Sequence, residues 1–196
     1  MKQKLTFLLF LSWCCLTATF LLGCTQNNTA TGTTGTNATA KKETVVYLVR
    51  HAEKDTSDPK NEDPNLTPAG QQRAEALKTL LAQEPVAALY ATKYVRTRQT
   101  LQPIAQSKSL PIATYEAHNF KGLAQTIKEK HPGQTVVVAG HSNTLLPLVE
   151  ALGGKKPFAE ITDAQYDYLF KLTLESGQET RVEVLQVGEA NVAPVK

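Results

Sequence analysis

The stretch TVVYLVRHAEK, residues 44–54, joins an apolar run to a group of charged side chains. Its first six residues are apolar or β-branched, a pattern that is typical of a buried strand. Arg50, His51 and Glu53 follow, and a polar loop that contains prolines comes next. Ligands of α/β folds bind beyond the carboxyl ends of the strands. The stretch therefore predicts a first buried strand that ends at a functional site.

Strand and helix patterns alternate four times after this point. Strands are predicted at 44–49, 86–90, 110–115 and 135–140, with helices beginning at Thr67-Pro68, Val95, Asn119 and Thr144. Thr67 and Asn119 have capping side chains, and Pro68 suits a first helical position. Two antiparallel strands are expected near 167–174 and 180–186. The order predicts an α/β three-layer sandwich with a mainly parallel central sheet and a C-terminal antiparallel strand pair.

The apolar face of the first helix is expected to be buried. It consists of Ala74, Leu77, Leu80 and Leu81. These positions recur at the spacing that brings side chains to one side of a helix.

The first 23 residues are typical of a secretory signal. Lys2 and Lys4 precede an apolar run that continues to Gly23, and Leu21-Leu22-Gly23-Cys24 is similar to a bacterial lipobox. We therefore expect residues 1–23 to be a lipoprotein signal peptide, removed so that Cys24 is lipidated and anchors the chain to a bacterial membrane on the periplasmic or cell-surface side. The alternative is an uncleaved transmembrane anchor, because the length of the apolar run is close to the roughly 20 residues needed to cross a bilayer.

Composition divides the remainder into a tether and a domain. Residues 24–43 are rich in Thr, Asn, Gly and Ala with little to bury, which indicates a flexible tether before a domain at 44–196. All three cysteines lie within residues 1–24, so the domain has no disulfide framework. Removing Lys2 and Lys4 lowers the net charge of +3 to +1, which argues against a nucleic-acid partner.

Polar residues follow each of the four predicted strands. Arg50 and His51 end the first, Arg96 comes shortly after the second, Glu116 follows the third, and His141 follows the fourth. Because parallel strands share one carboxyl edge, we expect these side chains to gather there.

The motifs that carry these residues resemble the histidine phosphatase (phosphoglycerate mutase-like) superfamily. They are Arg50-His51 after an apolar strand, Arg96-Thr97-Arg98-Gln99-Thr100, and Gly140-His141-Ser142-Asn143, in family order over about residues 44–186. The resemblance implies that His51 is the phosphorylated nucleophile and that Arg50, Arg96 and His141 hold the phosphoryl group. It further implies that Glu116 is the proton donor and that no metal or cofactor takes part.

Two positions depart from the family pattern, and the donor has alternatives. Ala52 stands where many members have glycine, and Thr92-Lys93 stand where many have Ser-Pro. Glu53 and Asp55 remain alternative proton donors. Asn143 is an additional candidate ligand contact.

Each of these residues also has a structural interpretation. Arg50 and Arg96 are alternatively ion-pair partners of Glu53 or Glu75, and Arg98 is expected to be a surface charge. Ser142 and Asn143 are expected to cap the following helix. His118 and His131 are expected to be solvent-exposed loop residues.

The function expected from the resemblance is hydrolysis of a phosphate monoester or a phosphoprotein through phospho-His51. The alternatives are a phosphomutase, for which the short stretch from Arg96 to Glu116 leaves little room for a lid, and a non-catalytic lipoprotein that binds an anion. A metal hydrolase using His51, His141 and Glu116 is a further alternative, although the sequence lacks a compact ligand motif. The sequence does not specify the substrate.

Overall fold

The computed structural model describes residues 43–189. The strands are β1 (Thr44–Arg50), β2 (Val86–Ala91), β3 (Ile112–Thr114), β4 (Thr135–Gly140), β5 (Tyr168–Leu174) and β6 (Arg181–Gln186). The helices are α1 (Pro68–Leu80), α2 (Val95–Lys108), α3 (Phe120–Lys130) and α4 (Ser142–Ala151). The predicted signal peptide, the lipidation site and most of the tether lie outside the described residues.

The six strands form one sheet in the order β3-β2-β4-β1-β5-β6. β1 pairs in parallel with β4, and β2 pairs in parallel with both β3 and β4. β5 runs antiparallel to β1 and to β6. The predicted fold class, with its mainly parallel sheet and C-terminal antiparallel pair, is confirmed.

Both faces of the sheet are covered, because the side chains of β1 and β4 alternate between two apolar clusters. Val46 and Leu48 pack into the cluster that contains α3 and α4. Tyr47 and Val49 pack into the cluster that contains α1 and α2. This alternation of period two makes the sheet the middle layer of three.

The starts of two helices follow the capping rules. The Thr67 side chain accepts a hydrogen bond from the Gly70 N–H at 3.1 Å, and Pro68 is the first residue of α1. The Asn119 side chain accepts from the Gly122 N–H at 3.0 Å at the start of α3. Each cap satisfies a backbone donor that has no partner within its helix.

Three local predictions were wrong. Leu80, expected in the core, is 48% exposed, because the buried side of α1 runs through Arg73, Ala74 and Leu77 and does not include its last residue. β3 contains three residues rather than six, because it lies at the edge of the sheet and pairs only with β2 among the described strands. His131 caps the end of α3 and is half-buried: its Nε2 lies 2.9 Å from the Tyr90 hydroxyl, and its Nδ1 lies 2.8 Å from Gln134 Oε1.

The start of α4 also differs from the prediction. The helix begins at Ser142, and His141 rather than Ser142 or Asn143 occupies the capping position. The His141 backbone N–H donates to Thr144 Oγ1 at 2.9 Å. The side chain of Thr144, one turn into the helix, thus accepts the capping hydrogen bond. This hydrogen bond holds the backbone of His141 in place.

No helix within residues 43–189 has the length and apolar character that a membrane span requires.

Candidate active site

The two motif histidines lie together at the carboxyl edge of the sheet. His51 follows β1, His141 follows β4, and the His51 backbone N–H donates to the Gly140 carbonyl at 2.9 Å. Their ring centroids are 5.4 Å apart, edge to face. The parallel pairing of β1 with β4 therefore places both side chains in one site, as the sequence predicted.

The neighbours of His51 place its ring proton on Nδ1. Its ring is 4% exposed, and its Nδ1 lies 2.9 Å from the Ala52 carbonyl oxygen. A carbonyl can only accept, so the proton resides on Nδ1 and the lone pair on Nε2. Burial, the largest cause, acts with the nearby Arg50, His141 and Arg96 to lower the pKa of His51 to about 3, although the Ala52 hydrogen bond opposes the shift. The neutral, nucleophilic form therefore predominates at neutral pH.

His141 holds its proton on the other ring nitrogen. Its Nε2 lies 3.1 Å from Thr92 Oγ1, which in turn lies 2.9 Å from Thr97 Oγ1. The Thr97 hydroxyl donates to the Tyr94 carbonyl at 2.8 Å, so it accepts from Thr92, and Thr92 accepts from His141 Nε2–H. Burial is the largest cause of a pKa of His141 lowered to about 4, to which nearby cationic side chains, Arg96 first among them, also contribute.

Arg50 and Arg96 each present a buried donor with no hydrogen-bond partner in the described part of the chain. Arg50 Nη1 donates to three carbonyl oxygens and its Nη2 contacts Asp163 Oδ1 at 3.3 Å, while Arg96 Nη1 lies 3.5 Å from Asp63 Oδ1. The Nε atoms of both arginines are buried without a hydrogen bond among the described residues. Buried donors are nearly always satisfied in folded proteins, and an exception often marks a site where a ligand accepts the hydrogen bond. The two guanidinium groups are therefore suited to bind an anion between them.

Two tyrosines contact the charged side chains. The Tyr166 ring lies 4.1 Å from the Arg50 Cζ and 6.0 Å from the His51 ring. The Tyr94 ring lies 4.3 Å from the Arg96 Cζ and 5.3 Å from the His141 ring. Each tyrosine thus covers one arginine and borders one histidine, which restricts the conformations of both.

A cavity of about 470 Å³ opens beside His141 and Arg96. Glu116 is exposed and lines it, as does Asn143, so the structure brings both predicted residues to this site. Further lining residues are Lys93, Tyr94, His118 and Asn119. The cavity has room for the part of a substrate that leaves on transfer, next to a carboxyl group.

The alternative acids do not line this cavity. Glu53 forms a bidentate ion pair with Arg73, with distances of 3.0 Å to Nε and 2.7 Å to Nη2. Asp55 is exposed in the following loop and accepts from the Ser57 N–H at 2.9 Å. Glu116 is thus the best placed of the three carboxyl groups for proton transfer to a leaving group.

The arginines form ion pairs with other carboxylates than those suggested from the sequence. Arg50 pairs with Asp163 and Arg96 with Asp63, whereas Glu75 pairs with Lys78. Arg98 is exposed and makes only long contacts, such as 3.3 Å to Thr114 Oγ1, as expected for a surface charge.

Within residues 43–189 no group of three or more His, Cys, Asp or Glu side chains is arranged to hold a metal ion. The alternative of His51, His141 and Glu116 as metal ligands therefore gains no support from their arrangement.

Sequence reasoning missed several residues of the site, including Tyr94, which lies against Arg96. Thr92, identified only as a departure from the family pattern, holds His141. Lys93 and His118 line the cavity, and His118 is exposed as expected but close enough to influence the His141 pKa. Tyr166 lies in a loop between α4 and β5 for which the sequence offered no motif. The position of His118 two residues after Glu116 was an available signal.

Comparisons with known proteins agree with this geometry. The sequence model of the histidine phosphatase superfamily (branch 1) matches residues 46–119. No curated protein sequence matches the chain.

Several solved structures with related folds are named as phosphatases. A mycobacterial glucosyl-3-phosphoglycerate phosphatase is 14% identical over 74% of this chain and 100% of its own, with a TM-score of 0.59. YhfR from Bacillus stearothermophilus is 19% identical over 72% of this chain and 96% of its own, with a TM-score of 0.59. The protein histidine phosphatase SixA, complexed with tungstate, is 15% identical over 72% of this chain and 96% of its own, with a TM-score of 0.57.

At these identities the solved structures establish the fold, and the sequence match covers the segment that holds Arg50, His51 and Arg96. Residues 46–119 are therefore similar in sequence to the histidine phosphatase superfamily, and the described domain shares the fold of the solved phosphatases.

Proposed function

We propose that the chain is a phosphatase that hydrolyses a phosphate monoester, or a phosphoprotein, through a phosphohistidine at His51. The observation that carries the proposal is the pair of buried, unpartnered Nε–H groups of Arg50 and Arg96 in the same site as the Nε2 lone pair of His51. A phosphoryl group offers oxygens to both guanidinium groups and an electrophilic phosphorus to the histidine.

The first step transfers the phosphoryl group to the enzyme. His51 Nε2 attacks phosphorus, the P–O bond to the leaving group breaks, and the leaving oxygen takes a proton from Glu116. Arg50, Arg96 and His141 stabilise the charge on the three other phosphoryl oxygens, which is the main contribution a protein makes to phosphoryl transfer. The low pKa of His51 keeps its lone pair available for this attack.

The second step releases phosphate. Glu116, now a carboxylate, takes a proton from water as the water oxygen attacks phosphorus, and the P–N bond breaks to return neutral His51. One carboxyl group thus acts first as acid and then as base, and the covalent intermediate replaces one difficult displacement by two easier ones.

The leaving group would occupy the cavity lined by Lys93, His118 and Asn143. The names of related structures, a sugar-phosphoglycerate phosphatase and a protein histidine phosphatase, span small and protein substrates. The proposal therefore includes both small phosphorylated molecules and phosphoproteins as substrates.

We also propose that the enzyme acts outside the cytoplasm, lipid-anchored to a bacterial membrane through Cys24. The support is in the sequence: the basic start, the apolar run and the cysteine where that run ends.

Hydrolysis of p-nitrophenyl phosphate by the purified full chain tests the activity. We expect His51→Ala to lower kcat/KM at least about 10³-fold, as loss of a nucleophile commonly does. His131→Gln is the matched control, since it removes a half-buried histidine outside the site. EDTA should leave wild-type activity unchanged.

Full activity in His51→Ala would contradict the proposal. If wild type were inactive, calorimetry with inorganic phosphate would separate two cases: binding would support the non-catalytic anion-binding alternative, and no binding would overturn the site as well.

A further inference from the structure

Residues 162–166, here called the Arg50 clamp, connect α4 to β5 and lie outside the segment that matches the family model. Arg50 Nη1 donates to the carbonyl oxygens of Thr162 at 2.9 Å, Asp163 at 3.0 Å and Gln165 at 3.0 Å. Three acceptors on one nitrogen hold the guanidinium at one end.

The clamp occupies one side of the guanidinium and leaves the other available. An arginine binds a phosphate or carboxylate through two adjacent N–H groups, either at its end or along its Nε/Nη2 edge. With Nη1 engaged, the Nε/Nη2 edge of Arg50 remains: Nε is buried without a partner among the described residues, and Nη2 contacts the Asp163 carboxylate at 3.3 Å. The Asp163 side chain is 97% exposed, so this contact is readily displaced.

The aromatic ring of the clamp fixes the plane of the guanidinium. Tyr166 lies 4.1 Å from the Arg50 Cζ and borders the His51 ring at 6.0 Å. One side chain therefore contacts both the predicted phosphate-binding arginine and the predicted nucleophile.

The clamp itself is held by internal hydrogen bonds. Buried Gln165 accepts from the Thr162 N–H at 2.7 Å and donates to the Tyr168 hydroxyl at 3.1 Å. These bonds restrict the loop, so the carbonyl groups that hold Arg50 have a defined position.

We propose that the Arg50 clamp is a positioning segment for the phosphoryl group, in which Tyr166 and the 162–165 carbonyls direct the Nε/Nη2 edge of Arg50 at the substrate. The Asp163 carboxylate occupies part of that edge in the free enzyme and leaves when phosphate binds. The inference rests on the proposed function, because it requires Arg50 to bind the phosphoryl group.

Inorganic phosphate binding to the full chain, measured by calorimetry, tests the role of Tyr166. Tyr166→Leu removes the ring and should raise the phosphate Kd about tenfold, in keeping with a desolvated cation–π contact. Tyr166→Phe keeps the ring and should stay within about twofold of wild type.

The phosphate Kd of Tyr166→Leu in an Arg50→Lys variant distinguishes a positioning role of Tyr166 from a purely structural one. Lysine lacks the planar group that the clamp orients, so Tyr166→Leu should change the Kd of Arg50→Lys less than about twofold. An equal effect in both backgrounds, or an unchanged Kd in Tyr166→Leu, overturns the proposal.

Asp163→Asn supplies a test that does not disturb folding, because this side chain is almost fully exposed. Removing the competing carboxylate should lower the phosphate Kd about threefold, the scale of an exposed ion pair. Glu160→Gln is the matched control, since it removes the same charge from an exposed residue three positions earlier, and it should have little effect.

An unchanged or raised Kd in Asp163→Asn would overturn the proposal even if Tyr166→Leu failed to fold. Failure of the wild-type chain to bind phosphate would instead overturn the proposed function, and this inference with it.

Discussion

His51 and His141 hold their protons on different ring nitrogens, and their neighbours determine which. The Ala52 carbonyl places the His51 proton on Nδ1, whereas the pair Thr92 and Thr97 places the His141 proton on Nε2. The first arrangement leaves the lone pair of His51 on Nε2, and the second directs the only N–H of neutral His141 at Thr92. For His141 to hold a phosphoryl oxygen as proposed, this N–H must leave Thr92 or be shared with the substrate oxygen. Thr92 therefore takes on a site role although it departs from the pattern common in the family.

If Glu116 protonates the leaving oxygen, as proposed, the effect of its loss depends on how readily the leaving group departs without a proton. Glu116→Gln keeps the shape of the side chain and removes its proton. We expect kcat/KM for an alkyl phosphate such as glycerol phosphate to fall about 10²-fold or more, the usual contribution of a general acid. The value for p-nitrophenyl phosphate should fall far less, because nitrophenolate leaves without a proton.

Asp55→Asn is the control for this prediction, because it changes the exposed alternative acid in the same way. A loss confined to the alkyl substrate in Asp55→Asn, or equal losses on both substrates in Glu116→Gln, would remove Glu116 from the role of donor.

At the scale of elements, the first turn of α1 packs directly on the loop that follows His51. A Cβ added at Gly70 would overlap the Glu53 carbonyl oxygen and lie 3.0 Å from the Glu53 nitrogen. The overlap involves backbone atoms, which cannot move aside as a flexible side chain can. Glycine at this position therefore allows α1 to approach residues 51–54.

Gly70→Ala should consequently destabilise the domain, although alanine favours helices by about 1 kcal/mol over glycine. We expect the free energy of unfolding, measured by denaturant titration, to fall by about 1–3 kcal/mol from overpacking. Gln71→Ala, at an exposed position in the same turn, should change it by less than about 0.5 kcal/mol. A neutral or stabilising Gly70→Ala would show that the helix does not depend on this close approach.

Elements with strong local signals were predictable from sequence, and those defined by distant contacts were not. β1 and β4 are continuous apolar runs, and α1 and α3 carry capping residues, so their positions followed from the chain. The start of α4 was misjudged because Ser142 and Asn143 are common caps, while the actual capping bond comes from Thr144. Leu80 was misjudged because helical spacing does not reveal which neighbours cover a face.

At the scale of the whole domain, the site draws on segments far apart in the sequence. His51 and His141 meet because β1 and β4 are parallel neighbours, and Arg50 meets residues 162–166 more than 110 positions away. The motif residues were predictable because their order resembles a family. The Arg50 clamp was not, because it binds through backbone carbonyls, which any sequence supplies.

The central claim is that the phosphoryl group passes through His51, and trapping the intermediate tests it most directly. Turnover of p-nitrophenyl phosphate would be quenched in alkali within milliseconds, and the digested chain examined by mass spectrometry, because a phosphorus–nitrogen bond survives alkali and is lost in acid. We expect an acid-labile phosphoryl group on His51 that is absent from His51→Ala. A phosphoryl group on any other residue, or one stable to acid, would contradict it.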